Sequence, residues 1–232
     1  MMVLEAVDLT KTFVGGDGGL LTVLDGVFMQ VAQGEMVAVV GSSGAGKSTL
    51  LHLLGALDRP TRGQVRISGQ ALDGLDDDAL ARLRNRHVGF VFQFHHLLRE
   101  FSALENVMMP LRIAGADEAS ARKRAMALLE RVGLGPRALH RPSQLSGGEQ
   151  QRTAVARSLA LDPSILLADE PSGNLDHANA ERLHELLVEL SRDLEISMVI
   201  VTHNQSLAGR ADRVLMLEDA RLSGAGIGEA VP

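Results

Sequence analysis

Val39-Val40-Gly41-Ser42-Ser43-Gly44-Ala45-Gly46-Lys47-Ser48-Thr49 is the stretch on which the fold turns. It leaves the apolar run Met36 to Val40, breaks into glycines and restarts as Leu50-Leu51-His52-Leu53-Leu54, so it reads as strand, loop and helix. That is the setting in which G-x-x-x-x-G-K-[ST] forms a phosphate loop. Glycines let backbone N–H groups turn inward around phosphate oxygens, and the positive end of the following helix adds to the field. Gly41 to Thr49 are therefore candidate nucleotide-binding residues, with Lys47 reaching the β- and γ-phosphates and Ser48 ligating Mg2+.

Outward from this loop, three more apolar runs end abruptly in polar residues. Val88 to Phe92 ends in Gln93, Ile165 to Ala168 in Asp169-Glu170, and Met198 to Val201 in Thr202-His203. Near-continuous apolar strands separated by helical segments suit a parallel sheet buried on both faces, and such sheets bind ligands at the carboxyl ends of their strands. Four separate motifs thus point into one crevice, and the fold expected is α/β around a phosphate-loop NTPase core.

Additional elements surround that core. Val3 to Phe13 and Leu21 to Val31, separated by the glycine-rich 15–19, read as an antiparallel pair. Phe13 in this element either joins the core or offers a ring face to adenine. Val65 and Ile67 alternate with polar neighbours as in a half-buried strand, and Asp76-Asp77-Asp78 starts a helix. From about 94 to 161 the texture is helical. Ser102 and Glu105 have capping-box spacing, Pro110 bends or ends that helix, and Ala121, Ala125, Leu128, Leu129 and Val132 share one face of the next, which stops at Gly133. Leu183, Leu186, Leu187, Leu190 and Leu194 mark a later helix, and the glycine-rich 223–232 reads as a loose tail.

Composition narrows the classes. The 232 residues, 45% hydrophobic, can bury a substantial core, but no apolar run approaches the roughly 20 residues that span a bilayer. Any membrane part belongs to another chain. The start, Met1 to Glu5, lacks the pattern of a secretory signal, and without cysteine there is neither a disulfide framework nor a thiolate metal site, so the cytoplasm is the expected compartment. A net charge of −6 argues against a broad nucleic-acid face.

The strand ends supply the chemistry of phosphoryl transfer to water, which needs metal and charge clamped and a water oriented. Asp169 fits the acid that organises Mg2+ with Ser48, while Glu170 orients or deprotonates the attacking water. Gln93 can touch both metal and water, although an amide is no base. His203 can donate to the γ-phosphate. Leu145-Ser146-Gly147-Gly148-Glu149-Gln150 precedes a helix and makes either an ordinary cap or a second anion site. His95-His96 is no metal site, because adjacent side chains do not converge on one ion.

In combination these motifs resemble the nucleotide-binding subunit of ATP-binding-cassette transporters across nearly the whole chain. Gly41 to Thr49 resembles Walker A, Gln93 the Q-loop and Leu145 to Gln150 the signature motif. Ile165 to Glu170 resembles Walker B with its catalytic acid, Ser172 to Asp176 the D-loop, and His203 the switch histidine. The resemblance implies that 1–232 is a single nucleotide-binding domain with a helical subdomain inserted at about 94–161. It also implies that two copies close head to tail around two ATP, so that Ser146, Gly147 and Gly148 act on the ATP held by the other copy.

Phe92 to Leu98, with Ala103 to Val107 and Met109 to Leu111, is most similar to the ATP-binding proteins of lipoprotein-releasing systems, while macrolide-efflux and cell-division ATPases share much of the remainder. The implied partners are integral membrane subunits contacting Gln93 to Leu98 from the cytoplasmic face of the inner membrane, with lipoprotein met only indirectly. Four positions depart from the family pattern: Phe13 for Tyr, Arg99 for Pro, Ser172 for Thr and Asn204 for Asp. A soluble DNA-repair or chromosome ATPase is the competing class. Such proteins separate the halves by long coiled coils or zinc modules, whereas about fifty residues lie between Gln93 and Leu145 here. A signalling subunit is the third reading.

Overall fold

The computed structural model describes residues 1–16 and 18–224. β1 (Met2–Val14) and β2 (Leu20–Ala32) pair antiparallel, and β3 (Met36–Val40) runs through the glycine loop into α1 (Lys47–Leu54). β4 (Arg62–Ile67) and β5 (Gln70–Ala71) are followed by α2 (Asp77–His87) and β6 (Val88–Phe92). Next come α3 (Ala103–Ile113), α4 (Glu118–Arg131) and α5 (Gly147–Ser158), with 3-10 turns at Gly135–Arg137 and Pro142–Gln144. β7 (Ile165–Asp169), α6 (His177–Leu194), β8 (Ser197–Val201), α7 (Gln205–Ala208), β9 (Arg213–Glu218) and β10 (Arg221–Gly224) follow.

Two sheets form. One has the order β2-β1-β4-β5 and its paired strands are antiparallel. The other has the order β10-β9-β3-β8-β7-β6, parallel from β9 to β6 with β10 antiparallel on its edge. The apolar runs are uninterrupted because side chains alternate between two covered faces. Leu166, Ala168, Met198 and Ile200 pack with α3, α4, α5 and α6 in one core; Ile165, Leu167, Val199 and Val201 pack with α1 and the antiparallel sheet in the other. Each such leucine contributes about 1.5–3 kcal/mol by transfer from water alone.

Local chemistry sets the helix boundaries. Asp76, Ser102, Asp117, Ser146, Asp176 and Asn204 each N-cap the helix that follows by accepting a backbone N–H. α4 stops before Gly133, whose φ of 73° is left-handed. Pro110, expected to bend or end its helix, does not end it. It is the eighth of eleven residues in α3, and the Ala114 N–H still closes the last turn on the Pro110 carbonyl at 3.0 Å.

The tail expectation needs correction at its start. Ser223 and Gly224 pair with Met216 and Leu215 in β10, and 225–232 lie outside the described residues. Both β9 and β10 escaped the sequence reading.

Candidate functional site

The path of the glycine loop is set by its glycines. Gly41, Gly44 and Gly46 have φ of 155°, 82° and 99°. A Cβ at Gly41 would meet the Leu217 carbonyl oxygen at 2.3 Å, and one at Gly46 would meet Val23 Cγ1 at 2.8 Å. Only glycine lets the loop pass between β9 and β2. Lys47 Nζ folds back to donate to the carbonyls of Gly41 at 2.7 Å and Ser42 at 2.9 Å. Among the described residues α1 is the one α-helix without a side-chain N-cap, so its first-turn N–H groups face the loop free of a capping side chain.

Asp169 ends β7 beside this loop. The Ser48 hydroxyl donates toward its carboxylate, with Lys47 and His52 close by. Burial pushes the Asp169 carboxyl above the ordinary aspartate value, and the Ser48 bond only partly opposes that. Two hard oxygen donors, the Ser48 hydroxyl and the Asp169 carboxylate, are the type of set that Mg2+ takes.

Glu170 has a φ of 44°, a strained value for a side chain with a Cβ, fixed by its N–H bond to Val201 O at 2.9 Å. That conformation turns the carboxylate to the next strand end. Oε1 accepts the His203 N–H at 3.0 Å and lies 2.8 Å from His203 Nδ1, while Oε2 accepts from Thr202 Oγ1 at 3.1 Å. Sequence reading gave Thr202 no role. Its hydroxyl also takes the Asn204 N–H at 3.0 Å, so one small side chain organises the turn. Asn204 itself caps α7 through the Leu207 N–H at 3.1 Å.

Gln93 follows the register pair Phe92 and Asp169, but its side chain points elsewhere. Its Nε2 donates to Asn174 Oδ1 at 3.0 Å, and Asn174 Nδ2 donates to the Gln93 carbonyl at 3.1 Å. Gly173 packs so closely on this amide that a Cβ there would lie 2.9 Å from Nε2. These contacts join positions 81 apart in sequence, and residue spacing carries no signal for them.

Ser146 caps α5 in a reciprocal box with Glu149: Ser146 N donates to Oε2 at 2.8 Å and Glu149 N donates to Ser146 Oγ at 3.3 Å. The backbone and hydroxyl of Ser146 hold the Glu149 carboxyl below its ordinary value. Gly148 lies against α6, where a Cβ would meet Asn179 Oδ1 at 2.9 Å. Among the described residues no hydrogen bond joins Ser146, Gly147 or Gly148 to the 41–49 loop. Phe13 is 41% exposed with Lys11 Nζ 5.0 Å from its ring centroid, so it is not a core side chain.

Beyond Gln93, Phe94 to Leu97, Arg99 and Glu100 line an open groove of about 710 Å³ together with Arg141, Pro142, Ser143 and Gln150. α5 anchors its floor. Buried Gln151 contacts His95 Nδ1 through Oε1 and donates from Nε2 to Phe92 O at 3.1 Å, while Arg157 donates to the His95 and His96 carbonyls at 2.9 and 2.7 Å.

A phosphate loop, an acid pair and a histidine at adjacent ends of a parallel sheet, with a helical segment carrying a second glycine-rich cap, define a nucleotide hydrolase of the P-loop NTPase fold. The sequence model of the ABC transporter family matches residues 24–173, and the chain belongs to that family. It is similar to the lipoprotein-releasing system ATP-binding protein LolD of Xanthomonas campestris pv. campestris (strain 8004), 55% identical over 221 residues that cover 95% of this chain and 92% of that protein. The LolD protein of Geobacter metallireducens is 53% identical, covering 94% and 97%. Among solved structures, a dimeric post-hydrolysis state of the ATP-binding cassette MJ0796 bound to ADP and Pi matches with a TM-score of 0.87 and 38% identity over 95% of this chain and 98% of that one.

Proposed function

We propose that this ABC ATPase is the ATP-hydrolysing subunit of a transporter that releases outer-membrane-directed lipoproteins from the bacterial inner membrane. The observation that carries the substrate class is identity above half with LolD proteins over more than nine-tenths of the chain. Among the described residues no helix is long and apolar enough to cross a membrane, so the work passes to membrane subunits. The groove at Phe94 to Glu100 is the surface that receives them at the cytoplasmic face. Two copies close around two ATP, each offering Ser146, Gly147 and Gly148 to the triphosphate on the other; the dimeric MJ0796 cassette supports that arrangement.

Within one copy, Gly41 to Thr49 cradles the phosphates, Lys47 leaving its two carbonyls to neutralise phosphate charge. Phe13, exposed on the hairpin that flanks the loop, stacks on adenine. Ser48 and Asp169 would hold Mg2+, which when bound would neutralise phosphate oxygens, and Gln93, bonded to Asn174 here, would be the third candidate for its shell. Glu170 accepts the proton of the attacking water, and His203 keeps that carboxylate aimed and contacts the γ-phosphate.

Depletion of the protein from its native cell, followed by membrane fractionation, tests the substrate class. Outer-membrane lipoproteins are expected to accumulate in the inner membrane, and Leu97→Asp in the groove should reproduce this while the purified subunit keeps its ATPase rate. Unchanged lipoprotein distribution with altered drug tolerance or septation would replace the reading with an efflux or cell-division ATPase.

A further inference from the structure

α6 presents Leu183, Leu187 and Leu190 to the core, and on the same buried stripe stands His184, with no exposed side-chain surface. An imidazole buried where a leucine would fit costs stability unless it is hydrogen-bonded. Its Nε2 lies 2.8 Å from Ser172 Oγ, and its Nδ1 faces Glu181 Oε1 at 3.4 Å, short of a completed hydrogen bond. A carboxylate can only accept, so the proton belongs on Nδ1 and Nε2 accepts from the Ser172 hydroxyl. Burial lowers the imidazole's proton affinity, with Glu181 opposing, in keeping with a neutral ring.

Both neighbours of this ring lead to the catalytic strand ends. Glu181 accepts from Ser206 Oγ at 3.0 Å and pairs with Arg210, so it grips α7, which starts immediately after His203 and Asn204. Ser172 lies two residues beyond Glu170, in the loop whose Gly173 and Asn174 engage Gln93. We propose that His184 is a positioning residue for ATP hydrolysis, tying the Ser172 loop to α7 so that Glu170 and His203 keep their mutual register. The inference rests on the roles given above to Glu170 and His203. It assigns a purpose to a buried polar side chain that touches neither nucleotide nor metal.

Full-length Ser172→Ala, His184→Met and His184→Gln proteins, the Ser172→Ala/His184→Met double variant and Glu170→Gln would be compared in steady-state ATPase and equilibrium ATP-binding assays. Methionine conserves core volume, and Ser172→Ala removes a single oxygen, so at least one variant keeps the fold. In Ser172→Ala and His184→Met, kcat is expected to fall about tenfold while KM and ATP affinity stay within about twofold. The double variant should lose no more than His184→Met alone, because one linkage is broken once. His184→Gln, whose amide can still bond Ser172, should recover most of the rate. Wild-type kcat in Ser172→Ala or in folded His184→Met overturns the proposal, as do single losses that multiply in the double variant. Wild-type hydrolysis by Glu170→Gln would instead remove the assignment of Glu170, and this inference with it.

Discussion

Glu170 combines a backbone φ of 44° with a carboxylate that the His203 N–H and the Thr202 hydroxyl both engage. A residue held in the left-handed region costs of order 1–3 kcal/mol, which persists only where the surroundings over-determine it. Replacing Glu170 by Gln preserves the shape and removes the basic oxygen. ATP binding should therefore be unchanged, while hydrolysis falls by about 10²–10⁴, read as single-turnover phosphate release. Retention of the wild-type rate would move the general base elsewhere. The identities at this site were legible because each follows an apolar run: Gln93, Asp169-Glu170 and His203 all sit at strand ends. Their partners were not. Thr202 bonds Glu170 and Asn174 bonds Gln93 across the sheet ends, while His184 reaches the same region only through Ser172, and linear spacing encodes none of this.

At the level of elements, caps make the most local and most testable contribution. Glu105 bonds the Ser102 backbone and hydroxyl at 2.7 Å each, and those bonds, the hydroxyl first, hold its carboxyl below the ordinary 4.5. A lowered folded value means that the stabilisation is present above that pH and disappears as pH falls through the folded value. Glu105→Ala should thus lower stability by about 0.5–2 kcal/mol at neutral pH, with a gap that narrows well below pH 4.5 in denaturant titrations. A gap independent of pH would contradict the box.

Elements with a strong period were readable, and two of the strands that were missed, β9 and β10, share a physical reason. The β9 sequence Arg213-Val214-Leu215-Met216-Leu217-Glu218 lacks glycine or proline boundaries. Its hairpin turn to β10 places Asp219 and Ala220 at φ of 47° and 64°, where Asn-Gly is the usual signal. At Pro110 the helix does not end, since packing of α3 against α4 and α5 carries it past a residue that ordinarily interrupts one.

For the whole molecule the proposed pairing of two copies is the property to test. Ser146 and the 41–49 loop make no hydrogen bond to each other within the described residues, in keeping with the proposed arrangement in which they meet across a pair of copies. With hydrolysis blocked by Glu170→Gln, ATP should shift the mass seen by light scattering from monomer to dimer. Adding Ser146→Arg should abolish the shift by crowding the γ-phosphate of the opposing copy, at a cap cost of about 1 kcal/mol that leaves the fold intact. A dimer persisting in that variant would count against the role of Ser146 across the interface.

The position of β3 in its sheet bears on how the protein is made. Val37 pairs on one side with Val199 and on the other with Arg213, so the strand that carries the phosphate loop waits for neighbours translated more than a hundred and sixty residues later. Long-range parallel pairing of this kind forms slowly, and an apolar segment such as Met36 to Val40 stays exposed to off-pathway association until it occurs. On the ribosome, the loop therefore acquires its scaffold only after β8 and β9 have emerged. A chain lacking β8 and β9 would leave both edges of β3, and with them the base of the phosphate loop, without their partners.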